Sequence, residues 1–157
     1  MTALFVKWLH ILMGFVFLGT GAGSAWYKLR AWRSRDVRVV AWCDREIVRA
    51  DWIFTVPSGV GAPATGLWLV YLYKLPLFGT TWVLWGIGGW MVAGIAWLPA
   101  AWLQIKMRRL AEAALAEGRT ELPDGYDRMQ KAWALLGLPS FAAAVFVVWV
   151  MVAKWAW

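Results

Sequence analysis

His10 is the only histidine in the chain, and it stands near the start of an uncharged apolar run, Trp8 to Tyr27. An imidazole in such a run is unusual, and its default reading is functional. In its neutral form one ring nitrogen can ligate a metal, haem iron included. Gly14 follows one turn later on the same helix face, with Gly21 further along that stripe. Missing side chains there would admit a flat macrocycle beside the helix. The plainer alternative is a histidine hydrogen-bonded to a neighbouring helix, with Gly14 allowing close approach. Met91 and Met151 fall at a similar depth in later apolar runs, counting about 1.5 Å per residue. A His/Met pair is a known haem ligation, whereas a methionine in a helix otherwise fills gaps. A five-coordinate haem on His10 alone fits equally. Lys7 and Lys154 lie near the same boundary. They either snorkel to headgroups or pair with acidic ligand groups such as porphyrin propionates.

These residues need a scaffold, and the composition names its solvent. Of 157 residues, 62% are hydrophobic and only 16% charged, with 15 Trp and a mean hydropathy of +0.57. Soluble domains carry about 25% charge. Four uncharged stretches reach the roughly 20 residues that a membrane helix needs. They run over 8–27, 52–73, 81–105 and 132–153. The apolar runs are continuous rather than alternating, which argues against strands. The expected fold is all-α, a single integral membrane four-helix bundle over 1–157. The first run reads as a span rather than a cleaved leader, because it is long for a leader and its basic start is poor.

Basic residues crowd two connections. The first carries Lys28, Arg30, Arg33, Arg35, Arg38, Arg45 and Arg49; the third carries Lys106, Arg108, Arg109, Arg119, Arg128 and Lys131. The second, from Lys74 to Thr81, has one. The positive-inside rule puts both basic loops in the cytoplasm and both termini on the outer side. The net charge of +7 is therefore a topology signal and not a nucleic-acid footprint.

The loops carry structural signals of their own. Met107 to Glu117 reads as a helical extension with Arg108 and Glu112 at i,i+4, closed by Gly118. Leu122-Pro123-Asp124-Gly125 reads as a turn. The first loop mixes Trp32, Val39, Val40, Trp42, Ile47 and Val48 with arginine, as an amphipathic segment at the headgroups would. Asp51 is placed to cap the second span, and Asp44, Arg45, Glu46 and Arg49 to form ion pairs beside it. Trp8, Trp82, Trp85, Trp155 and Trp157 fall near one interface, and Trp26, Trp32, Trp42, Trp52, Trp102 and Trp133 near the other, as anchoring belts do. Gly19 and Gly23 form GxxxG, and Ser58, Ala62 and Gly66 repeat the spacing, both signs of close helix packing. Pro57 and Pro63 bend the second span, which either borders a cavity or makes a packing kink.

Other chemistry is poorly served. Cys43 stands alone, so there is no disulfide framework and no multi-cysteine zinc site. Gly59-Val60-Gly61-Ala62-Pro63-Ala64 matches a loose dinucleotide pattern but has no strand before it. No P-loop, H-E-x-x-H or nucleophile elbow is present. No acidic residue sits mid-span, which argues against a proton or cation transporter.

Several segments together resemble an uncharacterised family of bacterial four-helix membrane proteins. They are Leu9-His10-Ile11, Gly19-Thr20-Gly21, Ala50-Asp51-Trp52 with Pro57, Thr65-Gly66-Leu67-Trp68, Trp97-Leu98-Pro99 with Trp102, Gly137-Leu138-Pro139, and Met151 to Lys154. More distantly, Lys7-Trp8-Leu9-His10-Ile11, Pro139 and the closing run Val148 to Lys154 resemble HemJ-type protoporphyrinogen oxidases and copper-resistance D-like membrane proteins. That resemblance implies haem or porphyrin binding at His10, with Lys154 nearby. The second histidine of the HemJ-type first helix is replaced here by the Trp26-Tyr27-Lys28 region, and further histidines are absent.

Three functions follow as expectations. One is a haem b- or porphyrin-binding redox protein, a membrane oxidoreductase drawing electrons from a quinone or a partner membrane subunit, with His10 as ligand. The second is a non-enzymatic accessory subunit of a larger membrane complex, and an oligomer is open in either case. The third is a transporter or copper-handling protein, for which soft ligands are few.

Overall fold

The computed structural model describes residues 1–154. Trp155 and Trp157, assigned above to an interfacial belt, lie outside the described residues. Those residues form helices and turns without a strand: α1 (Thr2–Ser34), α2 (Val37–Ala50), a π turn (Asp51–Thr55), α3 (Val56–Leu72), a 3-10 turn (Leu77–Gly79), α4 (Thr81–Ala116) and α5 (Tyr126–Ala153). Backbone angles stay helical from α2 through the π turn into α3. Four helices are thus long and apolar enough to cross a membrane. The membrane-crossing part of each is taken as its uncharged stretch.

The first basic connection is far shorter than a loop. Arg35 in the left-handed conformation ends α1, and Asp36 caps α2 by accepting from the Arg38 amide at 2.8 Å. The chain therefore turns back at once. This corrects the expectation of a segment lying on headgroups. The apolar face of α2 is buried in protein: Val40, Ala41, Cys43 and Ile47 pack with Ala31 of α1, Met107 and Ala111 of α4, and Tyr126 of α5. The same amphipathic pattern serves either purpose, and helical neighbours long enough to cover it decide between them. Each large apolar side chain so buried stabilises by roughly 1.5–3 kcal/mol. Asp51 is likewise not a cap. It opens the π turn inside a continuous helix and accepts the Thr55 hydroxyl at 2.8 Å.

The turn chemistry at the other basic connection is as expected. Gly118, at φ 70°, donates to Leu115 O, and Arg119 donates to Ala114 O. That pair of bonds is a Schellman motif closing α4. Gly125, at φ 82°, ends the turn in which the Tyr126 amide reaches Pro123 O. The Arg108–Glu112 pair forms at 3.8 Å.

Within the apolar zone the helices associate as two hairpins, α1 with α3 and α4 with α5, and α3 barely touches α4. Side chains of α1 enter glycine positions of α3: Phe17 lies over Gly59, Met13 over Gly61 and His10 over Gly66. In the other hairpin the Met151 methyl occupies the space a Cβ on Gly86 would take, and Val147 fills against Gly89. Ser140 donates to Ala93 O at 2.9 Å. Lipid offers no hydrophobic drive for helix pairing, so small residues and hydrogen bonds must supply it. Ser58 and Ala62 are buried as their spacing suggests. Gly19 and Gly23 are not used this way: nothing lies within 4 Å of a Cβ built on either.

Pro63 lacks the amide that would bond the Gly59 carbonyl, and the indole of Trp90 donates to that carbonyl instead, at 3.1 Å. Trp90 also packs on Phe17, with ring centroids 4.8 Å apart. This contact joins the two hairpins in the apolar zone.

Candidate functional site

Two polar sites lie at opposite ends of the apolar zone. About 27 Å of helix separates His10 from Lys28, at about 1.5 Å per residue. That is close to the roughly 30 Å of a hydrocarbon core.

At the terminal end, His10 Nδ1 stands 2.8 Å from Ala62 O and 3.2 Å from the Thr65 hydroxyl. A carbonyl carries no proton, so Nδ1 must be the protonated nitrogen. The Thr65 hydroxyl donates to Gly61 O at 2.6 Å, leaving its lone pairs for the same imidazole N–H. Nε2 then carries the free lone pair, and no hydrogen bond reaches it among the described residues. Gly66 is the glycine that admits the ring: a Cβ there would stand only 3.1 Å from His10 Cε1. Gly14, expected to allow that approach, has nothing within 4 Å of its Cβ position and leaves open space one turn along α1.

The remaining sequence candidates do not gather around His10. Met91 is 60% exposed on α4 and faces outward. Met151 belongs to the α4–α5 interface over Gly86. Gap-filling is what the structure shows for Met151, and neither methionine is placed as a sixth ligand. Lys154 ends α5 in the left-handed conformation and lies over the Trp82 ring at 5.7 Å. Lys7 is exposed on α1. Of the candidates, only His10 offers a nitrogen that could hold a haem iron, and neither methionine nor either lysine is brought beside it.

The basic end holds a site that sequence reading missed. Lys28 is 1% exposed and Asp44 2%. The Lys28 ammonium donates to Asp44 Oδ1, and the Tyr126 hydroxyl donates to Asp44 Oδ2 at 2.6 Å. Lys28 also stands over the rings of Tyr126 and Trp133, 5.9 and 5.5 Å from their centroids. The Asp44 carboxylate thus links α1, α2 and α5. Gln130, on the same α5 face as Tyr126 and Trp133, is buried with its Oε1 unpartnered. Cys43, next to this pair, is buried, and burial followed by the Asp44 charge pushes its thiol up to about 11. It is a packing residue. Charge counting places Lys28 only among the basic residues of the first connection. The signal was present: Gly21, Ser24, Lys28 and Ala31 share one helical stripe, and small residues on a stripe mark a packed face.

Two tryptophans leave the interfacial belt for this core. Trp32 donates to Asp127 at 2.6 Å and carries the Arg35 guanidinium over its ring, and Trp133 sits beneath Lys28. The Trp32 indole, then Arg35, hold the Asp127 carboxyl below the usual carboxylate range. Trp26, Trp42, Trp52 and Trp102 remain exposed, as a belt requires. The expected Arg49–Glu46 pair forms at 2.6 Å, while Arg45 reaches across to Glu112 at 2.8 Å.

No curated protein and no solved structure matches the chain. A family model described as "Predicted integral membrane protein" matches residues 4–155, nearly the whole length. With four helices able to span a bilayer and that match, the chain belongs to the predicted integral membrane protein family DUF2269.

Proposed function

We propose that this membrane protein binds a haem or porphyrin through His10 and serves a redox role in the bacterial cytoplasmic membrane, with its termini on the periplasmic side. One observation carries the reading. Nδ1–H is fixed on the Ala62 carbonyl, which leaves Nε2 with an oriented lone pair that no hydrogen bond engages among the described residues. Histidines that ligate metals are typically held in this way, by a carbonyl on the other nitrogen. The backbone of α3 selects the tautomer, the Thr65 hydroxyl steadies it, and Gly66 lets the ring approach. The open space at Gly14 leaves room next to the ligand. A bound haem would supply one-electron chemistry. This chain's residues hold the imidazole in place from its other nitrogen. The test is His10→Gly in protein purified with its pigment: loss of the haem spectrum, with partial return on adding free imidazole, supports the ligand. An unchanged spectrum refutes it.

A second reading has its own observation. Gly14, Gly19 and Gly23 of α1 have no neighbour within 4 Å of their Cβ positions, so a helix of another subunit could pack there. An accessory-subunit role predicts that Gly19→Leu releases a partner or a second copy on native electrophoresis. An unchanged particle size would remove it.

A further inference from the structure

One exposed tryptophan at the basic end stands outside the belt. Trp42 is 63% exposed on α2, ten residues before Trp52, where the second uncharged stretch begins. The helix is continuous between them, so Trp42 lies about 15 Å beyond that edge at the helical rise per residue. The headgroup layer is only about 5–8 Å deep on each side of the hydrocarbon. Direction adds to distance, because helical side chains lean toward the start of their own helix. Trp26 on α1 and Trp102 on α4 therefore lean back toward lipid. α2 runs the other way, starting at its far end, and turns Trp42 away from the bilayer. This indole stands in water.

Its surroundings select what covers it. Val39, also exposed, lies one turn before it. Arg38, Arg45, Glu46 and Arg49 share this face of α2. Arg49 pairs with Glu46 at 2.6 Å, and Arg45 with Glu112 of α4 at 2.8 Å. Glu112 also faces Arg108 at 3.8 Å, and the buried Arg108 Nε has no hydrogen-bond partner among the described residues. Arg38 has no carboxylate partner among them either. Along this face and its neighbour on α4, four guanidiniums thus meet two carboxylates. A second copy of the same face would be repelled, and lipid does not reach it. We propose that this face of α2 docks an acidic, amphipathic segment of another protein, its apolar residues on Trp42 and Val39 and its carboxylates on the surrounding arginines. The proposal stands apart from the haem reading, since it shares no residue with the His10 site.

The test uses the protein in phosphatidylcholine nanodiscs and three dye-labelled peptides of equal length: leucine with glutamate, leucine with lysine, and serine with glutamate. Fluorescence anisotropy, corrected against empty nanodiscs, should give the leucine–glutamate peptide a Kd at least about tenfold below the other two, the size of one buried tryptophan anchor. Trp42→Ala should raise that Kd about tenfold, and Arg38→Glu should raise it by a smaller factor. Both side chains are exposed, so both variants fold. Equal binding of the serine–glutamate peptide would show charge alone, and equal binding of the leucine–lysine peptide would show apolar contact alone. Either result, or a Kd untouched by Trp42→Ala, would overturn the proposal. So would a dimer on native electrophoresis that Trp42→Ala dissolves. A spin label on Trp42→Cys settles the setting, since Cys43 is buried: it should collide with a water-soluble nickel chelate, and collision with oxygen in lipid instead would also overturn the proposal.

Discussion

The basic end of the bundle and its apolar middle are held by opposite means. At the basic end four helices converge on one core, and a fully buried ion pair sits inside it. In the middle the helices pair into two hairpins, and a groove remains between them. Water explains the first: apolar faces of α2 and the extended ends of α1, α4 and α5 gain by leaving it. Lipid explains the second, since a leucine gains little by moving from lipid to a helix face. Glycine contacts and hydrogen bonds to carbonyls then set the geometry. The lesson is that the basic end clamps the four helices while the middle is left free to admit a ligand.

Breaking the clamp should have the largest effect. Lys28→Ala leaves Asp44 buried without its cation, and an unfolding titration in detergent should read a loss of about 3–5 kcal/mol. Replacing the whole group, as in Lys28→Met with Asp44→Leu and Tyr126→Phe, should recover most of it, since the buried Tyr126 hydroxyl otherwise loses its acceptor. A single variant as stable as the parent would mean that the pair is not buried as described.

In the middle, Gly86→Leu would place atoms where the Met151 methyl lies. Overpacking of that kind costs about 1–3 kcal/mol, and it should separate α4 from α5 without disturbing the His10 contact. Comparable but smaller is Trp90→Phe, which strands the Gly59 carbonyl that Pro63 leaves unbonded. A loss of about 1–2 kcal/mol is expected. Adding Pro63→Ala returns an amide to that carbonyl and should restore stability. If the second change makes no difference, the indole bond is not what satisfies Gly59.

The smallest effect is at the exposed edge of the clamp. Asp127 has a lowered carboxyl pKa in the folded chain, so its contribution is present above the usual carboxylate range and fades as pH falls through the folded value. With half the side chain in solvent, the loss should be a few tenths of a kcal/mol. Comparing Asp127→Asn with the parent at pH 7 and at acid pH measures it: the difference between them should shrink at acid pH.

The four spans were legible because uncharged stretches of about 20 residues have one physical meaning. Gly118 and the turn at Leu122 to Gly125 were legible because positive φ demands particular residues. Lys28 was not, because charge counting gives the side of a membrane and not the face of a helix. The paired hairpins were also hidden. GxxxG spacing at Gly19 states that a face is smooth but not who uses it, and the working contacts fall on Gly66, which the small-residue repeat of α3 marks, and on Gly59 and Gly61, which it does not. His10 could be singled out from its setting alone, while its hydrogen bond to Ala62 depended on the register of α1 against α3. The depth argument for Met91 and Met151 measured height along the bundle and missed direction around it.

The most direct measurement is an absorption spectrum of the protein purified in mild detergent, oxidised and then reduced with dithionite. A Soret band with reduced α and β bands is predicted, lost in His10→Ala and retained in Met91→Leu and Met151→Leu. A featureless spectrum, with no porphyrin found by mass spectrometry, would contradict the account.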